Sequence, residues 1–158
     1  MKRSKLPVLL VFFMSGCILV PVAHQAPVDV TPVAGREQVE EFTRLVNAHR
    51  RTVGCRPLTW VNAVARVAQQ HSEDMYHYKF FDHINQDGRD PFERLTRARI
   101  RYRAAGENIA AGQWTAQQVL DSWLSSAGHR RNIENCALLE HGVGLANNHW
   151  THVLVTLR

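Results

Sequence analysis

The chain has 158 residues, 45% hydrophobic and 21% charged, with a formal net charge of +5. That length holds one domain and not two comfortable ones, and that composition excludes a disordered main body. Three of the surplus charges, on Lys2, Arg3 and Lys5, sit at the extreme N-terminus, so the basic balance does not argue for nucleic acid, and no nucleic-acid partner is expected.

Those three cations head an apolar run, Leu6 to Met14, that ends in Ser15-Gly16-Cys17. The run is of signal-peptide length and too short to span a bilayer. Residues 1–16 therefore read as a signal peptide and the chain as exported. Small residues before a cysteine resemble the lipobox of bacterial lipoproteins, although Leu is commoner where Met14 stands. The resemblance implies acylation of Cys17 and a membrane partner reached through that lipid. Ile18, not Asp, follows the cysteine, which implies an outer-membrane lipoprotein facing the periplasm or the surface if the envelope is Gram-negative. An ordinary signal peptide, cleaved or retained, is the alternative.

Residues 17–35 carry Pro21, Pro27 and Pro32 without apolar periodicity. They read as the lipidated cysteine and an extended tether, leaving 36–158 as the domain. With Cys17 set aside, Cys55 and Cys136 remain as an even pair. In an oxidising compartment they read as a disulfide, closing a loop that chain entropy values at about 4 kcal/mol. A metal site using both thiolates is the competing reading, with no C-x-x-C to support it.

The first helix is predicted from near Arg36, with Val39, Phe42, Val46 and His49 on one stripe. Glu37, Glu40 and Glu41 are expected in its first turn, where they suit the helix dipole, and Gly54 ends it. Pro57 to Trp60 is a connector. Val61 to Tyr78 is a second helix that lines Val64, Ala65, Ala68, His71, Ser72 and Met75 along one face. Asp82 to Asp90 is a polar loop, and Pro91 opens a short helix to Arg97. Arg97, Arg99, Arg101 and Arg103 form a basic stretch read as a solvated loop or edge rather than a phosphate site.

Arg101 to Gly112 reads as strand and loop, and Thr115 as the N-cap of a helix to Ser126. His129 to Asn135 adds one turn. Gly142 to Ala146 and His149 to Leu157 read as strands joined at Asn147-Asn148. Helices first and strands late imply an α+β domain.

Four stretches together resemble the CAP superfamily (cysteine-rich secretory, antigen 5 and pathogenesis-related proteins) in its bacterial form. They are Ala68-x-x-His71-Ser72-x-Asp74-Met75 with Phe81-x-His83; Gly106-Glu107-Asn108-Ile109-Ala110; Trp123-x-x-Ser126-x-Gly128-His129-Arg130-x-Asn132-Ile133; and Glu140-x-Gly142-Val143-Gly144 followed by Trp150. The resemblance implies a three-layer α-β-α sandwich around a central, mainly antiparallel sheet. Two positions depart from it. His152 stands where many relatives carry Gln, and His141 where an apolar residue is frequent.

The family places His and Glu side chains in a surface cleft, and the matching positions are His83, Glu107, His129 and Glu140. These four are expected to converge on one open polar depression, with His83 and His129 as candidate ligands of a divalent metal such as zinc. Two imidazoles and two carboxylates suit metal ligation, acid–base work or the orientation of a polar ligand. Each has a structural alternative: Glu107 tying a tight loop to backbone N–H groups, His129 opening a helix beside Asn132 as a loop clamp, and Glu140 supporting the Cys136 bridge. His71, Asp74 and His77 recur every three residues, but His71 lies on the apolar stripe and reads as a core histidine.

No H-E-x-x-H helix, G-x-S-x-G elbow or phosphate loop is present, and no catalytic residue is assigned. Three functions fit: a domain binding a lipid, glycan, cell-wall or protein ligand at the envelope; a metal-dependent hydrolase or peptidase using the same cleft; and a structural envelope lipoprotein.

The N-terminal reading has a direct test. Cys17→Ala should abolish acylation and leave unprocessed or soluble protein, measured by metabolic labelling with a fatty-acid analogue. Equal labelling of parent and variant would sink the anchor.

Overall fold

The computed structural model describes residues 33–158; the expected signal peptide, Cys17 and residues 18–32 of the expected tether lie outside them. Nine elements follow in order: α1 Val33–Thr52, β1 Thr59–Trp60, α2 Asn62–Tyr78, α3 Pro91–Arg97, β2 Tyr102–Ala111, α4 Ala116–Ser125, α5 Ala127–Glu134, β3 Glu140–Ala146 and β4 His149–Leu157. The sheet order is β1-β3-β4-β2. β1 runs parallel to β3, and the other pairs are antiparallel.

Side chains alternate across β4, as strand geometry requires. Trp150 joins Phe42, Val46, Val119, Trp123 and Ile133 on the face covered by α1, α4 and α5. Val153 and Val155 join Val64, Val67, Ala68 and Leu95 on the face covered by α2 and α3. The result is the expected α-β-α sandwich.

Helix α2 lies against the sheet because two residues of β3 have no side chain. A Cβ on Gly142 would sit 2.1 Å from Ala65 N, and one on Gly144 2.4 Å from the Ala68 carbonyl carbon. The lost room is replaced by polar stitching: Gln69 accepts from Leu145 N–H at 2.9 Å and donates to Leu145 O at 3.1 Å. Capping follows the sequence elsewhere. Asp90 with Glu93, and Thr115 with Gln118, form full capping boxes on α3 and α4. Asn147 turns the β3–β4 hairpin at φ 55°, a conformation Asn tolerates.

Three expectations are corrected. α1 begins at Val33, so residues 33–35 belong to the helix and not to the tether. Glu37, Glu40 and Glu41 therefore lie past the first turn, where no acidic residue stands; Glu41 instead pairs with Arg44 at 2.8 Å. The Pro57–Trp60 connector contributes a two-residue strand at the sheet edge.

Cys55 and Cys136 are disulfide-bonded, with Cα atoms 5.0 Å apart. Beside them the buried Arg50 guanidinium donates to the carbonyls of Arg56, Ile133, Asn135 and Leu138 at 2.7–3.1 Å. One α1 side chain thus satisfies the irregular backbone leading into β3, which would otherwise be buried without donors.

The two departing histidines form a buried pair. His141 Nδ1 lies 3.2 Å from His152 Nε2, and both residues are fully buried. Phe42 meets His152 edge-on at 5.0 Å, Trp123 stacks on it at 5.8 Å, and Trp60 lies edge-on to His141. The outer nitrogens, His141 Nε2 and His152 Nδ1, have no hydrogen-bond partner. Burial, then the Arg50 charge, pushes His141 down to about 4. Burial, then His141 and Arg50, holds His152 well below its ordinary range.

Both folded-state values lie below the unfolded one, so below pH 6.5 the unfolded chain binds more protons. Stability should be full above about pH 6.5 and fall as the pH drops toward 4. His141 alone should cost about 2 kcal/mol at pH 5. Urea midpoints at pH 7 and pH 5 will show this, and His152→Gln should shrink the difference. An unchanged midpoint across that range would contradict the buried neutral pair.

Candidate functional site

The polar site is built where the 79–90 loop and α3 meet the edge strand β2. Glu107 is its centre. Its side chain is 2% exposed, yet it carries two charge-assisted bonds, one oxygen 2.8 Å from His83 Nδ1 and the other 2.6 Å from Arg94 Nη2. Arg94, with its side chain 7% exposed, also donates through Nη1 to His83 O and Asn85 Oδ1. Asn85 in turn donates to Asp74 on α2 at 2.7 Å. A chain of bonds from β2 through α3 to the loop thus fixes the backbone on which His83 stands. The His83 side chain is 46% exposed. With Nδ1 held by the carboxylate, its Nε2 edge is the part left to meet a ligand.

On the other side of β2, α5 is drawn in by amides. Asn132 donates to Glu107 O at 3.1 Å and to Asn108 Oδ1 at 2.8 Å, and Asn108 donates to His129 O at 3.1 Å. A Cβ on Gly106 would sit 3.0 Å from Asn132 Oδ1, so Gly106 lets this clamp close. His129 is half-buried, its ring 6.4 Å from Trp123. Burial lowers its pKa, and the His83 charge lowers it further.

Glu140 is placed elsewhere. It opens β3, and its carboxylate accepts from Leu157 N–H at 3.1 Å. In the sheet order it lies two strands from Glu107, roughly 10 Å of lateral separation. The structure thus brings together His83 and Glu107, sets His129 near them, and leaves Glu140 outside. His71 is fully buried beside this group, its Nε2 3.1 Å from Asp82 O and its Nδ1 without a partner. Burial, offset in part by Glu107, brings it down to about 4, which leaves it neutral near pH 7.

Sequence reasoning missed Arg94 and Asn85. In the sequence Arg94 is one more cation on a short helix, and nothing marks it as buried. Behind it a polar cavity of about 300 Å³ is lined by Gln70, Asp74, Asn85, Arg89, Arg94 and Arg97. Among the described residues no three His, Cys, Asp or Glu side chains are arranged to hold a metal ion. His83 and His129 offer two nitrogens, while Glu107 is occupied by His83 and Arg94. The donor set thus falls short of a zinc site made by protein alone.

Residues 43–156 match the family described as CAP, the cysteine-rich secretory protein family. The chain is 35% identical over 118 residues to an uncharacterized protein, YkwD, of Bacillus subtilis strain 168, covering 73% of this chain and 46% of that one. An extracellular protein containing an SCP domain from Bacillus anthracis superposes with a TM-score of 0.75 at 30% identity, over 77% of this chain and 41% of that one. This chain thus spans less than half the length of either. An outer surface protein of Borrelia burgdorferi shares the fold, with a TM-score of 0.72 at 16% identity over 78% of this chain and 95% of that one.

The network predicts an asymmetry between its two partners. Glu107→Gln leaves the Arg94 charge buried without its counter-ion and should cost about 3–5 kcal/mol. His83→Ala removes the exposed end of the same network and should cost about 1 kcal/mol or less. Urea denaturation of the two variants measures the difference; equal losses would contradict the assignment of Glu107 as the structural centre.

Proposed function

The chain belongs to the CAP family of cysteine-rich secretory proteins, and from that membership we propose that it is an exported, lipid-anchored domain that binds an amphipathic envelope ligand, a lipid or lipid-linked glycan, at His83. The observation that carries this reading is the state of Glu107. Its two oxygens are engaged by His83 and Arg94, so it positions an imidazole instead of standing free as a general base. Phe81 and Ile84, 55% and 51% exposed, flank that imidazole in sequence. The arrangement offers a fixed polar contact with two exposed apolar side chains beside it in sequence, the mix of groups an amphipathic ligand needs. Export is supported by the apolar N-terminal run, by the disulfide and by the extracellular relative from Bacillus anthracis.

A metal-assisted hydrolase is the second reading. It is favoured by the His83–Glu107 bond, because a histidine that ligates through one nitrogen is commonly held through the other by a carboxylate. His83 and His129 would then hold the ion, with water or substrate completing its shell. A bound ion would polarise a carbonyl or activate water.

One preparation separates the two. The full chain purified from membranes should retain an amphipathic ligand, seen by native mass spectrometry. Phe81→Ser with Ile84→Ser should reduce that retention severalfold without loss of fold. Metal analysis of the same sample should show no stoichiometric zinc. Stoichiometric zinc lost from a His83→Ala, His129→Ala variant, with no retained ligand, would replace the binding reading with the hydrolase.

A further inference from the structure

Beyond Arg97, which lines the cavity behind Arg94, the basic stretch to Arg103 is not absorbed by the His83 site. The structure turns it into a surface. Arg99 takes φ 58° after α3, and Arg158 N–H bonds to Arg101 O, which brings the end of β4 beside the start of β2. Arg99, Arg101 and Arg158 then line an open groove of about 310 Å³ whose floor is Val61, Ile100 and Leu157. Arg97 and Arg103 flank it in sequence, and all five arginines are exposed. Among the described residues no Asp or Glu side chain lies within ion-pair distance of any of them; Glu140, which bonds to Leu157 N–H, is the acidic group on the adjoining strand. Phe92, 45% exposed, stands close by, its ring 6.5 Å from Tyr102.

We propose that this groove docks the domain on the anionic surface of a phospholipid bilayer. Guanidinium groups around an apolar floor complement lipid phosphates above acyl chains, and the aromatic ring suits the interface between them. Isolated surface arginines normally alternate with carboxylates; here Arg99, Arg101 and Arg158 line one groove together. The geometry of the chain agrees. If Cys17 is acylated, the 15 residues 18–32 span at most about 50 Å even when fully extended, which keeps the domain within reach of the leaflet that holds the anchor. The inference rests on the anchor only for this last point.

The test uses the full chain mixed with vesicles of phosphatidylcholine alone or with phosphatidylglycerol added. Flotation with the neutral vesicles reads the anchor. Hydrogen exchange at residues 98–103 and 157–158 reads the groove. Exchange there should slow by about tenfold or more on the anionic vesicles alone. The protection should vanish in high salt, where the Debye length shrinks to about 3 Å near 1 M. It should vanish also in Arg99→Gln, Arg101→Gln, Arg158→Gln, whose exposed side chains leave the fold intact. Groove protection without flotation on neutral vesicles keeps the docking face and sinks the anchor. Equal exchange on both vesicle types, or protection retained by the triple variant, overturns the proposal. Inorganic phosphate reproducing the protection without vesicles also overturns it and reassigns the groove to a soluble anion.

Discussion

Everything in this domain is positioned by the contact between α2 and β3. With Gly142 and Gly144 bare, the helix backbone rests on the strand backbone, close enough that any Cβ would collide with Ala65 or Ala68. Interhelix and helix–sheet spacing is otherwise set by side-chain bulk. Removing that bulk lowers α2 by most of a side chain and fixes its rotation. Ser72 is then delivered to Thr151 at 2.9 Å, His71 to the Asp82 carbonyl, and Asp74 to Asn85. The loop that carries His83 is hung from the last two of these, at Asp82 and Asn85.

A domain so tightly layered has little room for polar groups, and it handles them in two ways. Arg50 and the Arg94–Glu107 pair are buried and richly bonded. Charged groups in such places stabilise little against an apolar replacement, yet removing one partner is severe. The His141–His152 pair is buried and poorly bonded, with one contact between two rings and two nitrogens idle. The first kind fixes geometry at any ordinary pH. The second is tolerated only while it stays neutral.

The helices were legible because their apolar stripes are long. Val64, Ala65, Ala68, His71, Ser72 and Met75 read as one face of α2; all but the half-buried Ala65 are buried, and Val67 joins them. Thr115 announced its own cap. β1 escaped because two residues carry no period, and the start of α1 escaped because Pro32 and a run of small residues look like tether. In the site, Glu107 and His83 came from motif likeness, and Asn132 as a clamp from its place near His129. Arg94 could not be found: its role depends on burial, which a seven-residue helix does not encode by itself. Glu140 was legible as a motif residue and still lies two strands away, since a motif records order along the chain and not distance.

The position of β4 has a consequence for how the chain reaches this state. β4 lies between β3 and β2 and hydrogen-bonds to both, yet it is the last of the described elements in chain order. A chain emerging N-terminus first can form α1 and α2 early, from local contacts, but has no sheet to lay them on. Contacts such as those joining residue 50 to residue 138 carry a high closure entropy and slow the search. The two halves of the sheet stay unjoined, with the α2 face uncovered, until β4 arrives. Closure of the sheet is thus a late event in chain order, and until β4 docks, the two helical layers have no common surface to pack on.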